Sequence, residues 1–424
     1  MKHSLRPSVL LLLLSLLATA CAAGGTPAND TSAAIRVDLN DWDTVVAAGQ
    51  GATLDLHMWG GSTEINRFVD DVYGPRLAQQ GITLNRVPLA DTADAVNAVL
   101  AELEAGRSSN GSIDLIWING DNFATMRQAD ALMTGWSQML PNARLVDWDD
   151  PAVALDAGLV VDGAESPWGS AQFQFVYDSA RMKASELPRT YGELADWIVA
   201  NPGRFTYPAP PAFHGTRFVK QWFYAMNSGP DNWFASFDEA AYTKAAGPLW
   251  DLLDDLRPHL WRQGQTYPND IADLDQLFAN NEIDFTFTQL PAGIGANINA
   301  GTLPATARPF VFDTGTIADH HYLAIPVNAS DPAAAMVFAD LVLNPDLQAA
   351  KLDPANGWGD GLAIAVDRLD STQAATVNDI MADLGDTAVD QKQLAAVRLP
   401  DSLGALTGAL DRDWNRFVRQ RQPQ

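Results

Sequence analysis

Along most of the chain, short apolar runs alternate with stretches whose apolar residues recur at helical spacing. The runs predict strands at Thr53 to Trp59, Ile113 to Ile118, Phe173 to Tyr177, Phe205 to Tyr207, Asp284 to Thr288 and His321 to Pro326. Helix signals fall between them. Thr190 followed by Glu193 predicts a capping box ahead of Leu194-Ala195-Asp196-Trp197-Ile198, and Asn201-Pro202-Gly203 stops that helix. Asp331 before Pro332 opens a helix over Ala333 to Leu343, which Asn344-Pro345 interrupts before a second short helix. Strands alternating with helices predict an α/β layered fold, doubly wound and largely parallel rather than barrel-like. No repeat of fixed period runs through it.

The N-terminus follows a different pattern. Lys2 and Arg6 precede an apolar run from Ser8 to Ala20, followed at once by Cys21 and a small, polar stretch. This is the layout of a secretory signal. The run is shorter than the roughly 20 residues a spanning helix needs, and no later segment is apolar for long enough. Cys21, the single cysteine of the chain, follows Leu17-Ala18-Thr19-Ala20, which resembles a bacterial lipobox with Ala18 three places before the cysteine and Leu17 one step further back. Residues 1–20 are therefore expected to be a signal peptide, Cys21 a lipidated N-terminus, and 21–40 a flexible tether. Plain secretion with an incidental thiol is the competing reading. With no second cysteine an internal disulfide is excluded.

Composition narrows the partners. With 47% hydrophobic and 19% charged residues among 424, the chain suits a folded body of about two to three domains. The formal net charge is -25, and loss of Lys2 and Arg6 with a signal leaves the remainder more acidic. Such a balance disfavours phosphate backbones, so nucleic acid is not an expected partner.

Candidate chemistry lies where strands end. The run Leu54-Asp55-Leu56-His57-Met58-Trp59 meets Gly60-Gly61-Ser62 before a helix opens. Free backbone N–H groups at such a turn suit a carboxylate or phosphate oxygen, and Trp59 offers a flat face for stacking. An ordinary strand-to-helix turn is the alternative. Ile113 to Ile118 repeats the layout, with Asn119-Gly120-Asp121-Asn122-Phe123 behind it. Ser166-Pro167-Trp168-Gly169-Ser170-Ala171-Gln172-Phe173 reads as a rigid aromatic turn entering a further strand, in the manner of a crossover between lobes.

These junctions resemble the type II solute-binding proteins of ABC importers, in the branch with polyamine, thiamine and ferric-ion receptors and closest to a YnjB-like subgroup. The residues that carry the likeness are Met58 to Ser62, Trp117 to Phe123, Trp168 to Phe173, Phe205-Thr206-Tyr207-Pro208-Ala209-Pro210-Pro211, Gly215 to Val219, Tyr322 to Pro326, and Gly357-Trp358-Gly359-Asp360. The resemblance implies two doubly wound lobes joined by a hinge, with C-terminal helices on the second. Lobe one is then expected over 41–168 plus 305–351 and lobe two over 169–304 plus 352–424. It also implies a small-molecule ligand in the inter-lobe cleft and ABC permease subunits as partners, with a monomer and no cofactor expected, while an exported location and membrane contact through the lipid alone are expected from the N-terminus. On that basis Trp59 and Trp168 are expected as stacking faces, Ser62 and Asn119 as hydrogen-bonding groups, and Tyr207 and Trp358 as contacts from the second lobe's side, with a place in the core as the alternative for each of these aromatic rings. Gly60, Gly61 and Gln172 complete the lining, and Asp121, with Glu64, balances any cationic group.

Two alternatives stand beside this reading. An exported hydrolase needs two carboxylates across a cleft, and no spacing among the 52 Asp and Glu singles out a pair. Neither a Gly-x-Ser-x-Gly elbow, a His-Glu-x-x-His zinc site nor a phosphate loop occurs, so no catalytic residue is expected. A metal-ion receptor of the same fold would draw on Asp319-His320-His321, yet adjacent side chains of an extended segment point to opposite faces.

Overall fold

The computed structural model describes residues 41–230, 233 and 236–421. The expected signal peptide and the Cys21 tether lie outside them. Among the described residues no helix is long and apolar enough to cross a membrane.

Two sheets organise the chain. The first takes β1 (Thr53–Trp59), β2 (Thr83–Leu89), β3 (Leu115–Ile118) and β4 (Glu165–Gln172), and the second takes β5 (Gln174–Asp178), β6 (Phe285–Thr288) and β7 (Ala307–Phe310). β8 (Thr316–Ala324) and β9 (Arg398–Pro400) then return to the first sheet. β1 lies parallel between β2 and β3, while β8 runs antiparallel to both β3 and β4. The predicted parallel winding therefore holds for the first three strands. The second sheet, in the order β6-β5-β7, is antiparallel throughout. Phe205 to Tyr207 joins no ladder: Phe205 O accepts from Trp261 N at 2.8 Å, and the neighbouring Arg204 O accepts from Asp284 N. Neither donor belongs to a strand.

Among the helices are α1 (Thr63–Phe68), α2 (Asp121–Gln128), α3 (Tyr191–Ala200), α4 (Phe213–Met226), α5 (Pro332–Val342), α6 (Pro345–Leu352), α7 (Ser371–Leu384) and α8 (Gly404–Asp413). Their starts reflect local chemistry. Ser62 Oγ caps α1 by accepting from Ile65 N, and Asn344 caps α6, whose first residue is Pro345. Thr190 Oγ1 accepts from Glu193 N, but the Glu193 carboxylate turns to Arg189 N, so only half of the expected capping box forms.

Each sheet has its own core. Leu54, Leu56, Met58, Leu115, Trp168 and Leu323 pack with the buried face of α5, and Trp358 to Ile364 contribute to the same cluster. Phe175, Phe285 and Phe287 pack with α3, α4 and, from the tail, Leu406, Leu410 and Trp414. Ala307 to Phe310, expected with the first lobe, thus pairs in the second sheet, and Trp358 to Ile364, expected with the second lobe, packs in the first core.

The connection between cores is the β4–β8 ribbon, paired from Glu165 with Ala324 to Gln172 with Ala318. Beside it, Lys351 Nζ donates to the carbonyls of Trp168 and Gly361 and to Asp360 Oδ2 at 2.6 Å, and His321 Nε2 stands 2.9 Å from the same carboxylate oxygen. Neither Lys351 nor Asp360 exposes any side-chain surface. Burial opposes the Asp360 charge, but His321 and Lys351 outweigh it and hold its pKa below the usual carboxylate value. Lys351→Met should remove the ammonium and strand the carboxylate, at a cost of about 3 to 5 kcal/mol. Urea unfolding of the variant measures this, and a loss below about 1 kcal/mol would show that the pair is not needed.

Candidate functional site

Trp59 ends β1 with 42% of its surface exposed, which is unusual for so large an apolar side chain. The glycines behind it have a steric explanation. A Cβ on Gly61 would fall 2.2 Å from Trp59 Cζ2, and one on Gly60 would fall 2.6 Å from Pro88 Cβ. The indole therefore lies over Gly61. Ser62 Oγ donates to Glu64 Oε2 at 3.1 Å and accepts from Ile65 N at 3.3 Å, so its hydroxyl is occupied within the turn. Asn66 Nδ2 holds the loop by donating to Gly60 O at 2.8 Å.

The end of β3 is held from beneath. Gly120 takes φ 62°, ψ −131°, a conformation that favours glycine, and its N–H donates to both carboxylate oxygens of Asp156 at 2.8 Å. Burial dominates over that bond and pushes the Asp156 pKa up to about 8. Asn119 is partly exposed and makes no side-chain hydrogen bond among the described residues. Asp121, at the first position of α2, is exposed yet pressed on Gly404, where an added Cβ would meet its Oδ1. Partial burial raises the Asp121 pKa, with Lys220 opposing and Asp401 reinforcing the rise.

This contact follows from the ladder. β8 pairs with β3 at Tyr322 to Ala324 and with β9 at Thr316 to Ala318. The tail strand thus takes a place on β8 beyond the end of β3, and Asp401 to Gly404 emerge beside the Asn119-Gly120-Asp121 loop. Lys220 of α4 donates to Asp401 Oδ1 and to Thr407 Oγ1, both at 2.6 Å. Arg217 pairs with Asp319 and Asp401, while its Nε and Nη1 are buried without a partner among the described residues. Lys220 and Arg217 together outweigh burial at Asp401 and hold its pKa low.

The other expected contacts are buried. Trp168 has no exposed surface: the ladder shifts register between His321 and Tyr322, opposite this residue, and the indole packs against Tyr73, Trp117, His321 and Trp358. Trp358, 2% exposed, belongs to the same cluster. Tyr207 lies in the second core with Phe218 and Tyr267, its hydroxyl accepting from Trp414 Nε1 at 3.0 Å. Gln172 is buried and donates to Thr316 Oγ1 and Leu394 O. These four are placed as packing and tethering groups, because the ribbon and the tail close over them. Trp117, half-buried and 4.9 Å from Trp168 between ring centres, was hidden from sequence reasoning inside a uniformly apolar strand. Arg217 and Asp319 were missed as a pair because 102 residues separate them.

His320 and His321 separate as strand geometry requires. His321 meets Asp360, whereas His320 Nδ1 lies 2.7 Å from Ala152 O. Among the described residues no three His, Cys, Asp or Glu side chains gather to hold a metal.

Residues 77–359 match the family of bacterial extracellular solute-binding proteins. The chain is 39% identical over 342 residues to Protein YnjB of Escherichia coli (strain K12), covering 81% of this chain and 87% of that one. In fold it is similar to the spermidine/putrescine ABC transporter substrate-binding protein of Streptococcus pneumoniae, with TM-score 0.61 at 12% identity over 88% of this chain and 100% of that one. It is also similar to the apo ferric ion-binding protein A of Pasteurella haemolytica, with TM-score 0.57 at 11% identity over 87% and 98% of the two chains. At such identities the likeness concerns the fold: the type II periplasmic binding architecture.

Asp156 makes the loop beside β3 sensitive to pH. Its folded pKa of about 8 lies above the ordinary 3.8, so its contribution is fully present below the ordinary value and declines as pH rises toward 8. Asp156→Asn keeps one acceptor for Gly120 N and should flatten that decline. Unfolding midpoints measured from about pH 5 to 9 check this, and parallel profiles for both proteins would refute it.

Proposed function

Because this chain belongs to the bacterial extracellular solute-binding proteins and is a solute receptor, we propose that its solute rests on the strand ends Trp59 to Ser62 and Asn119 to Asp121, beside the β4–β8 ribbon. The exposure of Trp59 carries this reading. A large indole is left open to solvent at the carboxyl end of a parallel strand, next to the connection between two cores, where doubly wound sheets bind ligands. Asn119 supplies an unused amide, the Gly60 and Gly61 turn supplies backbone edge, and half-buried Trp117 extends the aromatic surface. A flat or cationic group on an organic solute suits such a surface.

The first lobe in this proposal comprises the β1 to β4 region with β8, α5, α6 and the 358–364 segment, and the second comprises β5 to β7 with α3, α4 and α8. Closure about the ribbon would bring them together over the solute, a hinge motion of the kind periplasmic binding proteins use. The closed monomer is then presented to the permease of an ABC importer, and no catalysis is involved. The basic residues, apolar run and Cys21 at the N-terminus support export and a lipid anchor as the sole membrane contact.

Native mass spectrometry of the protein purified without denaturation identifies the retained solute. Trp59→Ala should then weaken its binding by about 1 to 3 kcal/mol in calorimetric titration. Stability should change less, because the ring is already half in solvent. Unimpaired binding by the variant removes Trp59 from the site. For the anchor, palmitate labelling in a bacterial host should depend on Cys21, and Cys21→Ser should move the protein to the soluble fraction. Label retained by the serine variant would refute lipidation there.

A further inference from the structure

His320 and Ser170 are directly opposed across the β4–β8 ladder, and both line a cavity of about 820 Å3 bounded by the 361–366 segment, α7 and the 388–392 segment. None of the strand-end residues Trp59 to Ser62 or Asn119 to Asp121 lines it. Alternation along β8 puts His320 on the other side of the ribbon from His321, so the cavity and the Trp117–Trp168 cluster meet opposite faces of the same two strands.

The His320 proton can be placed. A carbonyl oxygen only accepts, and Nδ1 lies 2.7 Å from Ala152 O, so Nδ1 carries the hydrogen and Nε2 keeps its lone pair. The ring is 7% exposed, and burial above all pushes its pKa down to about 4, against the pull of the Ala152 carbonyl. It is therefore neutral near pH 7. Neither His320 Nε2 nor Ser170 Oγ has a hydrogen-bond partner among the described residues. Side chains opposed on one face of a ladder stand roughly 5 Å apart at Cβ, so an acceptor and a hydroxyl are presented side by side. The remaining wall is apolar at Ile364, Val377, Met381 and Val389, with Asn378, Asp390, Gln391 and Lys392 beside them, and the Asp390 carboxylate accepts from Lys392 N and Gln393 N. At the rim, Asp147 is already paired with Arg368 at 2.7 Å and Asp150 with Arg398 at 2.8 Å.

We propose that this cavity is a second small-molecule site, distinct from the strand-end site, for a neutral organic molecule with a primary amide on an apolar body. The amide N–H donates to His320 Nε2, its carbonyl accepts from Ser170 Oγ, and the apolar body lies against Val377 and Met381. A cavity of this size, mostly apolar with a few convergent polar groups, is the usual form of such sites. An occupant touches both connecting strands at once.

Benzamide is the probe, titrated calorimetrically into the purified protein and soaked into its crystals. Saturable binding is expected, weakened roughly two- to tenfold by Ser170→Ala and by His320→Phe, the range for one neutral hydrogen bond. Ala382 lies at the cavity's solvent-exposed rim, and Ala382→Trp should abolish binding while Trp59→Ala leaves it intact. If His320→Phe does not fold, Ala382→Trp decides the matter alone. Absence of saturable binding overturns the proposal, as does unchanged binding by Ala382→Trp. Loss of binding in Trp59→Ala also overturns it, since the probe would then occupy the strand ends.

Discussion

The Lys351 ammonium is buried with every one of its partners, and the join between the two cores is organised around it. It reaches Asp360 and two carbonyls, Trp168 from the chain's first crossing and Gly361 from the returning loop, while His321 from the second crossing meets the same carboxylate. A charge fully out of water is tolerable only when its counter-ion and hydrogen-bond partners are held at fixed distances. The network therefore couples α6, both ribbon strands and the 358–361 loop: none can shift without stranding a charge. Trp168, Trp117, Trp358 and Tyr73 seal it from solvent, and Lys351 lies 5.7 Å from the Trp358 ring. That sealing is why indoles with the look of ligand contacts serve as walls.

A second constraint acts at the other end of the ribbon. Because β9 takes its place on β8 beyond β3, the C-terminal tail is threaded through the region where the cores meet. The consequence is electrostatic. Asp401 arrives there together with Asp319 and Asp121, and the Arg217 and Lys220 side chains of α4 answer it with paired ions that are 4% exposed. A side chain at Gly404 would displace the Asp121 carboxylate, which rests over this glycine. Burial pushes the pKa values of Asp121, Asp156 and Asp319 upward, with Asp401 adding to the rise at each, whereas at Asp401 itself the Lys220 and Arg217 charges outweigh burial and bring the value down.

Between these anchors the ribbon has two unlike sides. One is closed by tryptophans and the His321–Asp360 pair, and the other opens on a cavity with a neutral histidine and a free hydroxyl. The family supplies the receptor role; the period of two along β8 decides which groups each side presents. Asp319-His320-His321 looks like one motif in the sequence and is divided among Arg217, Ala152 and Asp360 in space.

Much of this was legible in the sequence. Thr53 to Trp59 forms the strand its apolar run predicts, Ser62 and Asn344 cap helices as their side chains require, and the order of junctions identified the architecture. These features depend on chemistry within a few residues of the position that shows it. That Trp59 and Asn119 stand where strands end was also readable, since the apolar runs stop there. The tertiary structure alone decided the fate of Trp168, Trp358, Tyr207 and Gln172. Their surroundings are contributed by α6, the tail and the second core, far away along the chain. It alone decided the antiparallel second sheet and the pairing of Arg217 with Asp319. Local sequence sets what a residue can do; burial and charge pairing depend on which distant segment packs on it, and that is settled only when the chain has crossed between its two cores and come back.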